Sequence, residues 1–120
     1  MGAAAGGGGT AMTVTGDLVD LLARPEGRGV EFKSATSGFP FGDLVKYCVA
    51  IANEGGGTIV LGVTDKRPRQ VVGTRAFAEP GRTEAGLFEQ THQRIAVEEH
   101  HHDGKRVLLV HVPSRIPGTA

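Results

Sequence analysis

The sequence of 120 residues predicts a single α+β domain, in which helices pack on a mixed, largely antiparallel sheet. Two observations support this fold class. The hydrophobic periodicity changes along the chain in the order α, β, α, β, β, α, β, β. Consecutive strands are joined by short turns, and the Asp103-Gly104 dipeptide is a strong signal for a β-hairpin.

The beginning of the chain is rich in glycine and alanine, and we expect residues 1–14 to form a disordered tail. The domain is expected over residues 15–114, followed by a flexible end over residues 115–120. Its first two elements are a short helix over Gly16–Ala23 and a strand over Val30–Ser34, each indicated by its apolar spacing.

The most regular helix is predicted over Asp43–Asn53, where apolar residues recur at helical spacing. Gly55–Gly57 ends this helix. The strand that follows, Thr58–Val63, does not alternate with polar residues, so we expect burial on both of its faces. Asp65–Arg69 is predicted as a turn, after which Gln70–Val72 pairs back as a hairpin.

Three elements complete the predicted domain. A helix over Thr83–His92 is weakened by the glycine inside it. Two strands follow, over Arg94–His101 and Lys105–Val112, on either side of the predicted hairpin turn. No internal repeat is visible in the chain.

Composition narrows the possible functions. Thirteen Lys and Arg residues balance thirteen Asp and Glu residues, which gives no bulk attraction to nucleic acid or to an anionic membrane. No apolar run approaches the ~18 residues of a membrane span, and the first residues do not resemble a signal peptide. Cys48 is the only cysteine, so we expect a small core residue and a reducing, cytoplasmic setting.

Three acidic residues, Glu26, Glu31 and Asp65, form the first candidate site. Carboxylates of this kind hold Mg²⁺ or Mn²⁺ and leave coordination positions for water and phosphate. However, extended chain would separate Glu26 from Glu31 by ~16 Å, so the two converge only if the glycines between them turn the chain. Spacing alone favours the other interpretation, in which the three are unrelated surface acids.

Basic residues form the second candidate site. Lys33 shares a strand face with Glu31, where it either contacts phosphate or forms an ordinary ion pair. Further basic residues crowd the next turn and loop, where they form either a phosphate-backbone surface or a solvated turn. They are Lys66, Arg67, Arg69, Arg75 and Arg82. No aromatic stacking platform is expected beside them, because Tyr47 and Phe32 are predicted to be buried.

Two other patterns are open to ordinary structural explanations. The Gly55–Gly57 run is either an anion cradle or a helix end with a tight turn, and no Walker loop follows it. His100 and His102 share a predicted strand face with Glu98, which makes a zinc site conceivable. A polar hairpin edge explains these histidines more simply.

Residues Glu26–Ser114 resemble the Schlafen AlbA_2 family, also known as a divergent AAA-4 or DNA-binding domain family. Four blocks carry the resemblance, in the order and at the spacings of the family. They are VEFK at Val30–Lys33, AIANEGGGTIVLGVTD at Ala50–Asp65, VVG at Val71–Gly73 and GKRVLLVHVPS at Gly104–Ser114. The resemblance implies an α+β module like the one predicted above.

The resemblance also implies functions. Bacterial members look like DNA-binding or transcription-regulatory modules, and vertebrate Schlafens carry a metal-dependent endoribonuclease site of two glutamates and an aspartate that acts on tRNA and rRNA. Glu26, Glu31 and Asp65 fall on those three acids, and Lys33 falls on the lysine of the family's EFK motif. An older family label implies ATP binding, for which this sequence shows no phosphate loop.

The first functional hypothesis is therefore a nucleic-acid-binding, Schlafen-like domain that cleaves structured RNA such as tRNA with Mg²⁺ or Mn²⁺. The resemblance implies that one lobe needs a partner copy, and so a homodimer. The alternatives are a non-catalytic DNA-binding or regulatory module and a domain that binds a protein through its final hairpin.

Overall fold

The computed structural model describes residues 21–23 and 29–115 of the chain. Two helices and four strands follow one another along residues 29–115. They are β1 (Val30–Lys33), α1 (Phe41–Asn53), β2 (Gly57–Leu61), α2 (Pro80–Thr91), β3 (Ala96–His102) and β4 (Lys105–Val112). Residues 21–23 are helical, whereas the rest of the predicted first helix, the predicted tail and residues 116–120 lie outside the described residues.

The four strands form one sheet in the order β1-β2-β4-β3. β1 and β2 are parallel, and both other pairs are antiparallel, which confirms the predicted mixed sheet. Because β1 and β2 are parallel, with α1 as their crossover connection, their C-terminal ends lie at the same edge of the sheet. We call this the carboxyl edge, marked by the pair Lys33 and Leu61. The opposite end of the pair, at Val30 and Thr58, is the amino edge.

Apart from the first helix, of which only residues 21–23 are described, the predicted elements are present with shifted ends. β2 stops at Leu61, two residues earlier than predicted, because Gly62 turns the chain with a φ of +103°. The predicted return at Gln70–Val72 exists as a single bridge between Val63 and Val71. α2 begins at Pro80 because proline is compatible with the first turn of a helix.

The last two strands pair over their full length through a two-residue turn. Asp103 and Gly104 both have positive φ angles, of 52° and 76°, as the tightest hairpin turns require. The hairpin predicted from this dipeptide is therefore confirmed. β3 runs from Ala96 to His102, so it begins two residues later than predicted.

Two hydrophobic clusters lie on opposite faces of the sheet. One face is covered by α1 and α2, whose buried Leu44, Cys48 and Leu87 pack over Ile59 and Leu61. The other face buries a second cluster, which comprises Leu21, Val30, Phe32, Val60, Val63, Val107 and Leu109. β2 contributes to both clusters, which confirms the expected burial of both its faces. Cys48 is a core residue, and burial raises the pKa of its thiol to about 12.

The glycine run lies at the amino edge of the sheet, where main chains approach closely. A Cβ atom on Gly56 would lie 2.8 Å from the carbonyl oxygen of Val112, and a Cβ atom on Gly57 would overlap the main chain of Gly29. The Thr58 amide donates a hydrogen bond to the Gly29 carbonyl at 2.8 Å in the same place. Only glycine therefore fits where β2 begins.

We predict that Gly57→Ala lowers the free energy of unfolding by roughly 1–3 kcal/mol, because the main chain of Gly29 cannot yield to the added methyl group. Gly42→Ala is the matched control. A Cβ atom on Gly42 meets no atom within 4 Å, so this change should raise stability by up to about 1 kcal/mol. Urea unfolding of both variants measures the difference, and equal stability would contradict the role assigned to Gly57.

Candidate functional site

The carboxyl edge brings several of the predicted site residues together. Along β1, Val30 and Phe32 are buried on one face, while Glu31 and Lys33 are half-buried on the other. That second face is the one covered by α1. The Lys33 ammonium lies 4.9 Å from the centre of the Tyr47 ring, which projects from the second turn of α1. In open parallel α/β sheets, ligands bind outside the carboxyl ends of the strands, and β1 and β2 form one such parallel pair here.

Three neighbouring side chains determine the electrostatics of Lys33. A hydrogen bond with the Tyr47 side chain is the main cause that raises the pKa of Lys33, and partial burial acts in the opposite direction. The charges of Tyr47, Glu31 and Asp65 raise the pKa further. Glu31 and Asp65, two of the three predicted acids, are therefore both close enough to act on the same lysine.

Asp65 lies in a short loop that follows β2 and Val63. The Thr64 amide donates to the Gln70 carbonyl at 2.9 Å, and the Thr64 hydroxyl accepts a hydrogen bond from the Gln70 amide at 2.8 Å. These bonds close the base of the loop. Asp65 and Lys66 are left exposed beside the carboxyl edge.

The third predicted acid, Glu26, lies outside the described residues. Within residues 21–23 and 29–115, no group of three or more His, Cys, Asp or Glu side chains is arranged to hold a metal ion. Glu31 and Asp65 are thus the described part of the predicted Mg²⁺ or Mn²⁺ site, which stays a prediction.

The predicted basic residues divide between two environments. The Arg67 guanidinium donates to the Ala23 carbonyl at 3.1 Å, and the Arg69 guanidinium donates to the Leu22 carbonyl at 2.9 Å. Arg69 also lies over the Phe32 ring, 4.1 Å from its centre. Both arginines therefore hold residues 21–23 against the sheet.

Arg75 occupies the other environment, on a loop fixed to the segment that follows β1. Its amide donates to the Thr36 carbonyl at 3.1 Å, while its side chain is exposed. The neighbouring Thr74 hydroxyl donates to the Ala35 carbonyl at 2.5 Å. Lys33, Lys66 and Arg75 consequently share the carboxyl edge.

Arg106 holds this loop in place, a role that sequence reasoning missed. Its guanidinium donates to the carbonyls of Thr74, Ala76 and Phe77 at 3.2, 2.6 and 2.6 Å, and its Nε donates to Glu99 at 3.0 Å. The arginine directly precedes the apolar run Val107–Val110 of β4, and its side chain is largely buried, since it is only 16% exposed. A charged residue next to an apolar strand segment is the available signal.

The expected burial of the aromatic residues is confirmed for Phe32 and wrong for Tyr47. Phe32 is fully buried, whereas Tyr47 is half-buried and reaches Lys33. Its ring also lies 6.0 Å from that of Phe39, centre to centre. A tyrosine combines an apolar ring with a polar end, so a helical pattern alone did not show how far it extends to the surface. Aromatic rings therefore accompany the basic residues after all.

The histidines of the last hairpin pair with nearby acids. Glu98 lies 2.6 Å from His111 Nε2 and 3.8 Å from His100 Nε2, and His111 Nδ1 lies 3.2 Å from the Thr58 hydroxyl. His101 and His102 lie beside Glu99 and Asp103. This arrangement is that of a polar hairpin, and the described residues hold no zinc-type cluster.

No helix among the described residues has the length and apolar character needed to cross a membrane.

Comparison with known proteins identifies the relatives of this chain. Residues 26–119 match the family model described as Schlafen, AlbA_2. No match was found among curated proteins.

Two solved structures share the fold. The N-terminal domain of a RecG-related protein from Nitrosomonas europaea, described as a putative ATP-dependent DNA helicase, is 25% identical with a TM-score of 0.55, over 79% of this chain and 71% of that one. The DIP2311 protein from Corynebacterium diphtheriae is 22% identical with a TM-score of 0.61, over 88% of this chain. This chain spans only 23% of that protein.

We predict that Tyr47→Phe lowers the pKa of Lys33, because the change removes the hydrogen bond that raises it most. Nuclear magnetic resonance titration of the Lys33 side chain measures this pKa. Glu54→Gln, at the far end of α1, is the control and should leave it unchanged. An unaltered pKa in Tyr47→Phe would contradict the assignment.

The sign of the pH effect on stability follows from the direction of this shift. Folding raises the pKa of Lys33 above 10.5, so the interaction stabilises the fold below that pH. This stabilisation is lost as the pH rises through the raised pKa of Lys33. Over that pH range the free energy of unfolding of Tyr47→Phe should therefore fall less than that of the wild type.

Proposed function

The chain belongs to the Schlafen AlbA_2 family, and on that premise we propose that it is a nucleic-acid-binding domain whose carboxyl edge contacts the phosphate backbone. The observation that carries the proposal is that β1 and two loops, which carry Lys33, Lys66 and Arg75, all lie at this edge. The Nitrosomonas relative is described as part of a DNA helicase-related protein, which is consistent with a role directed at nucleic acid.

The three cations suit phosphate contacts for different reasons. Lys33 is oriented by Tyr47 and by the acids beside it, so its ammonium group is held in one place. Lys66 and Arg75 are exposed, and each is carried by a loop that main-chain hydrogen bonds close. Arg67 and Arg69 are secondary candidates, because main-chain carbonyls already occupy part of their five-donor capacity.

We predict that the double variant Lys66→Ala with Arg75→Ala weakens nucleic-acid binding and lowers the slope of log K against log salt concentration by about 2, because each phosphate contact contributes about 1. Fluorescence anisotropy at several salt concentrations measures both effects.

Arg115→Ala is the control for this experiment. Its amide donates to the Ala52 carbonyl near the amino edge, and its side chain is exposed. Removal of this charge should leave the salt slope nearly unchanged. Equal slopes for the double variant and the wild type would reject the proposed surface.

The finer proposal is phosphodiester hydrolysis of structured RNA at the same edge. Glu31 and Asp65 would hold Mg²⁺ or Mn²⁺, joined by Glu26 as the family resemblance implies. Two carboxylates close to one lysine fit the donor set of such a cation, which commonly binds through one or two carboxylates and substrate phosphates. A bound cation of this type supplies an activated water and stabilises charge on phosphate. Lys33 would orient the scissile phosphate and stabilise its developing negative charge.

We predict that the protein cleaves tRNA in the presence of Mn²⁺ and that Asp65→Ala abolishes the cleavage, because a ligand of the cation is lost. Gel electrophoresis of labelled tRNA measures the products. Glu54→Gln removes an exposed carboxylate near the amino edge and should cleave at the wild-type rate. If neither the wild type nor Asp65→Ala cleaves, or both cleave equally, the hydrolytic proposal fails.

One observation favours a second candidate function, a non-catalytic DNA-binding or regulatory module. The Nitrosomonas relative is the N-terminal domain of a protein described as related to a DNA helicase. This candidate requires salt-sensitive duplex binding that needs no metal and survives Asp65→Ala. The glycine run gives no support to ATP binding, because main chain already fills the space beside Gly56 and Gly57.

The hydrolytic proposal extends to assembly and location. Two copies would form one groove for structured RNA, and sedimentation with and without RNA tests this homodimer. A cytoplasmic location is supported by the single cysteine of the sequence, which forms no internal disulfide.

A further inference from the structure

Aromatic side chains are concentrated where β1 leads into α1. Phe39 and Tyr47 are both half-buried, and their rings lie 6.0 Å apart with an angle of 42° between the planes. Phe41 is 37% exposed and meets Phe77 edge to face at 6.5 Å. Each ring of these two pairs is partly accessible, because the hydrophobic core does not fully bury it.

Charged side chains lie near the Tyr47 ring. The Lys33 ammonium lies over the Tyr47 ring, 4.9 Å from its centre, so a stacked base would use the part of the ring that Lys33 leaves uncovered. Tyr47 also lines a surface depression of about 360 Å³, together with Asp43, Lys46 and Ala50. A depression of this volume falls at the lower end of the range for small-molecule sites, which is adequate for a single nucleotide.

We propose that Tyr47 and Phe39 form a stacking platform for an unpaired nucleotide, so that the preferred ligand of the carboxyl edge is an unpaired stretch of nucleic acid, whether a single strand or the loop of a structured RNA. This inference rests on the proposed function, because it requires that the edge bind nucleic acid. It goes beyond that function by naming the structural class of the ligand.

Each part of a nucleotide finds a complementary group here. The base presents a π face to the aromatic rings, a contact that tolerates any sequence. Its phosphate meets the ammonium groups of Lys33 and Lys46. The Asp43 carboxylate disfavours phosphate within the depression and accepts hydrogen bonds from exocyclic amino groups, such as cytosine N4. The base is therefore directed into the depression and the phosphate towards the lysines.

A duplex cannot use this surface in the same way. Its base faces are stacked inside the helix, so only its phosphates can reach Lys33, Lys66 and Arg75. Stacking on a protein ring contributes roughly 1–3 kcal/mol per base. An oligonucleotide with accessible bases should therefore bind at least about fivefold more tightly than the matched duplex.

The test compares fluorescence anisotropy of a labelled single strand with that of the same strand in a duplex, each long enough to exceed a site of roughly 4–16 nucleotides. The full-length wild type is measured beside Tyr47→Leu and Tyr47→Phe. Tyr47→Leu should weaken single-strand binding on the order of tenfold. Its duplex binding should fall no more than that of Tyr47→Phe, because both variants lose the hydrogen bond that orients Lys33. Tyr47→Phe should retain the single-strand preference, because it keeps the ring and removes only the hydroxyl group.

A second variant, Phe39→Leu, keeps the test valid if Tyr47→Leu does not fold. Thermal melting followed by circular dichroism checks that both variants are folded. Phe39 lies in a loop, so its substitution leaves α1 intact and should also reduce single-strand preference. An equal loss for single strand and duplex in both leucine variants would overturn the inference.

The outcomes separate this inference from the proposed function. Salt-dependent binding that needs Lys66 and Arg75 but shows no preference for the single strand overturns the stacking platform alone. Absence of binding to either ligand overturns both. Stronger binding to the single strand, lost in Tyr47→Leu and kept in Tyr47→Phe, supports both.

Discussion

The parallel pairing of β1 with β2 is the constraint on which the rest of the structure depends. It is fixed at both ends by main-chain contacts. At the amino edge Gly57 approaches Gly29, and at the carboxyl edge the Gly62 amide donates to the Lys33 carbonyl at 2.8 Å. A parallel pair requires a crossover connection, which α1 supplies. The same pairing buries the central strand and aligns Lys33 with the loop that carries Asp65.

The candidate site is built around that pairing by loops held at their main chains. Thr64 closes the loop of Asp65, and Arg106 holds the carbonyls of the loop that carries Arg75. Because these hydrogen bonds hold the loops at their main chains, the exposed side chains of the loops remain available to a ligand. The chemistry therefore lies in loops, whereas the sheet determines where those loops begin.

Local patterns predicted most of the fold. The helical spacing of α1, the continuous apolar run of β2 and the Asp103-Gly104 turn each determine a local conformation, and all three were predicted correctly. Strand ends were less accurate, because Gly62 stops β2 by a turn that apolar character does not reveal. The partners of Arg106 are carbonyls supplied by distant segments, so no local pattern could identify them. Tyr47 was placed in the core because helical spacing does not distinguish a ring that is fully covered from one that reaches the edge of the helix.

The raised pKa of Lys33 has a consequence for enzymology. A lysine that serves as a general base needs a pKa lowered towards neutrality, and the surroundings of Lys33 act in the opposite direction. The residue keeps its proton at every pH at which the protein would normally be assayed, so it acts as a permanent charge. Any ionisation seen in a rate profile near neutral pH therefore belongs to another group, and Lys33 contributes a constant field to the site.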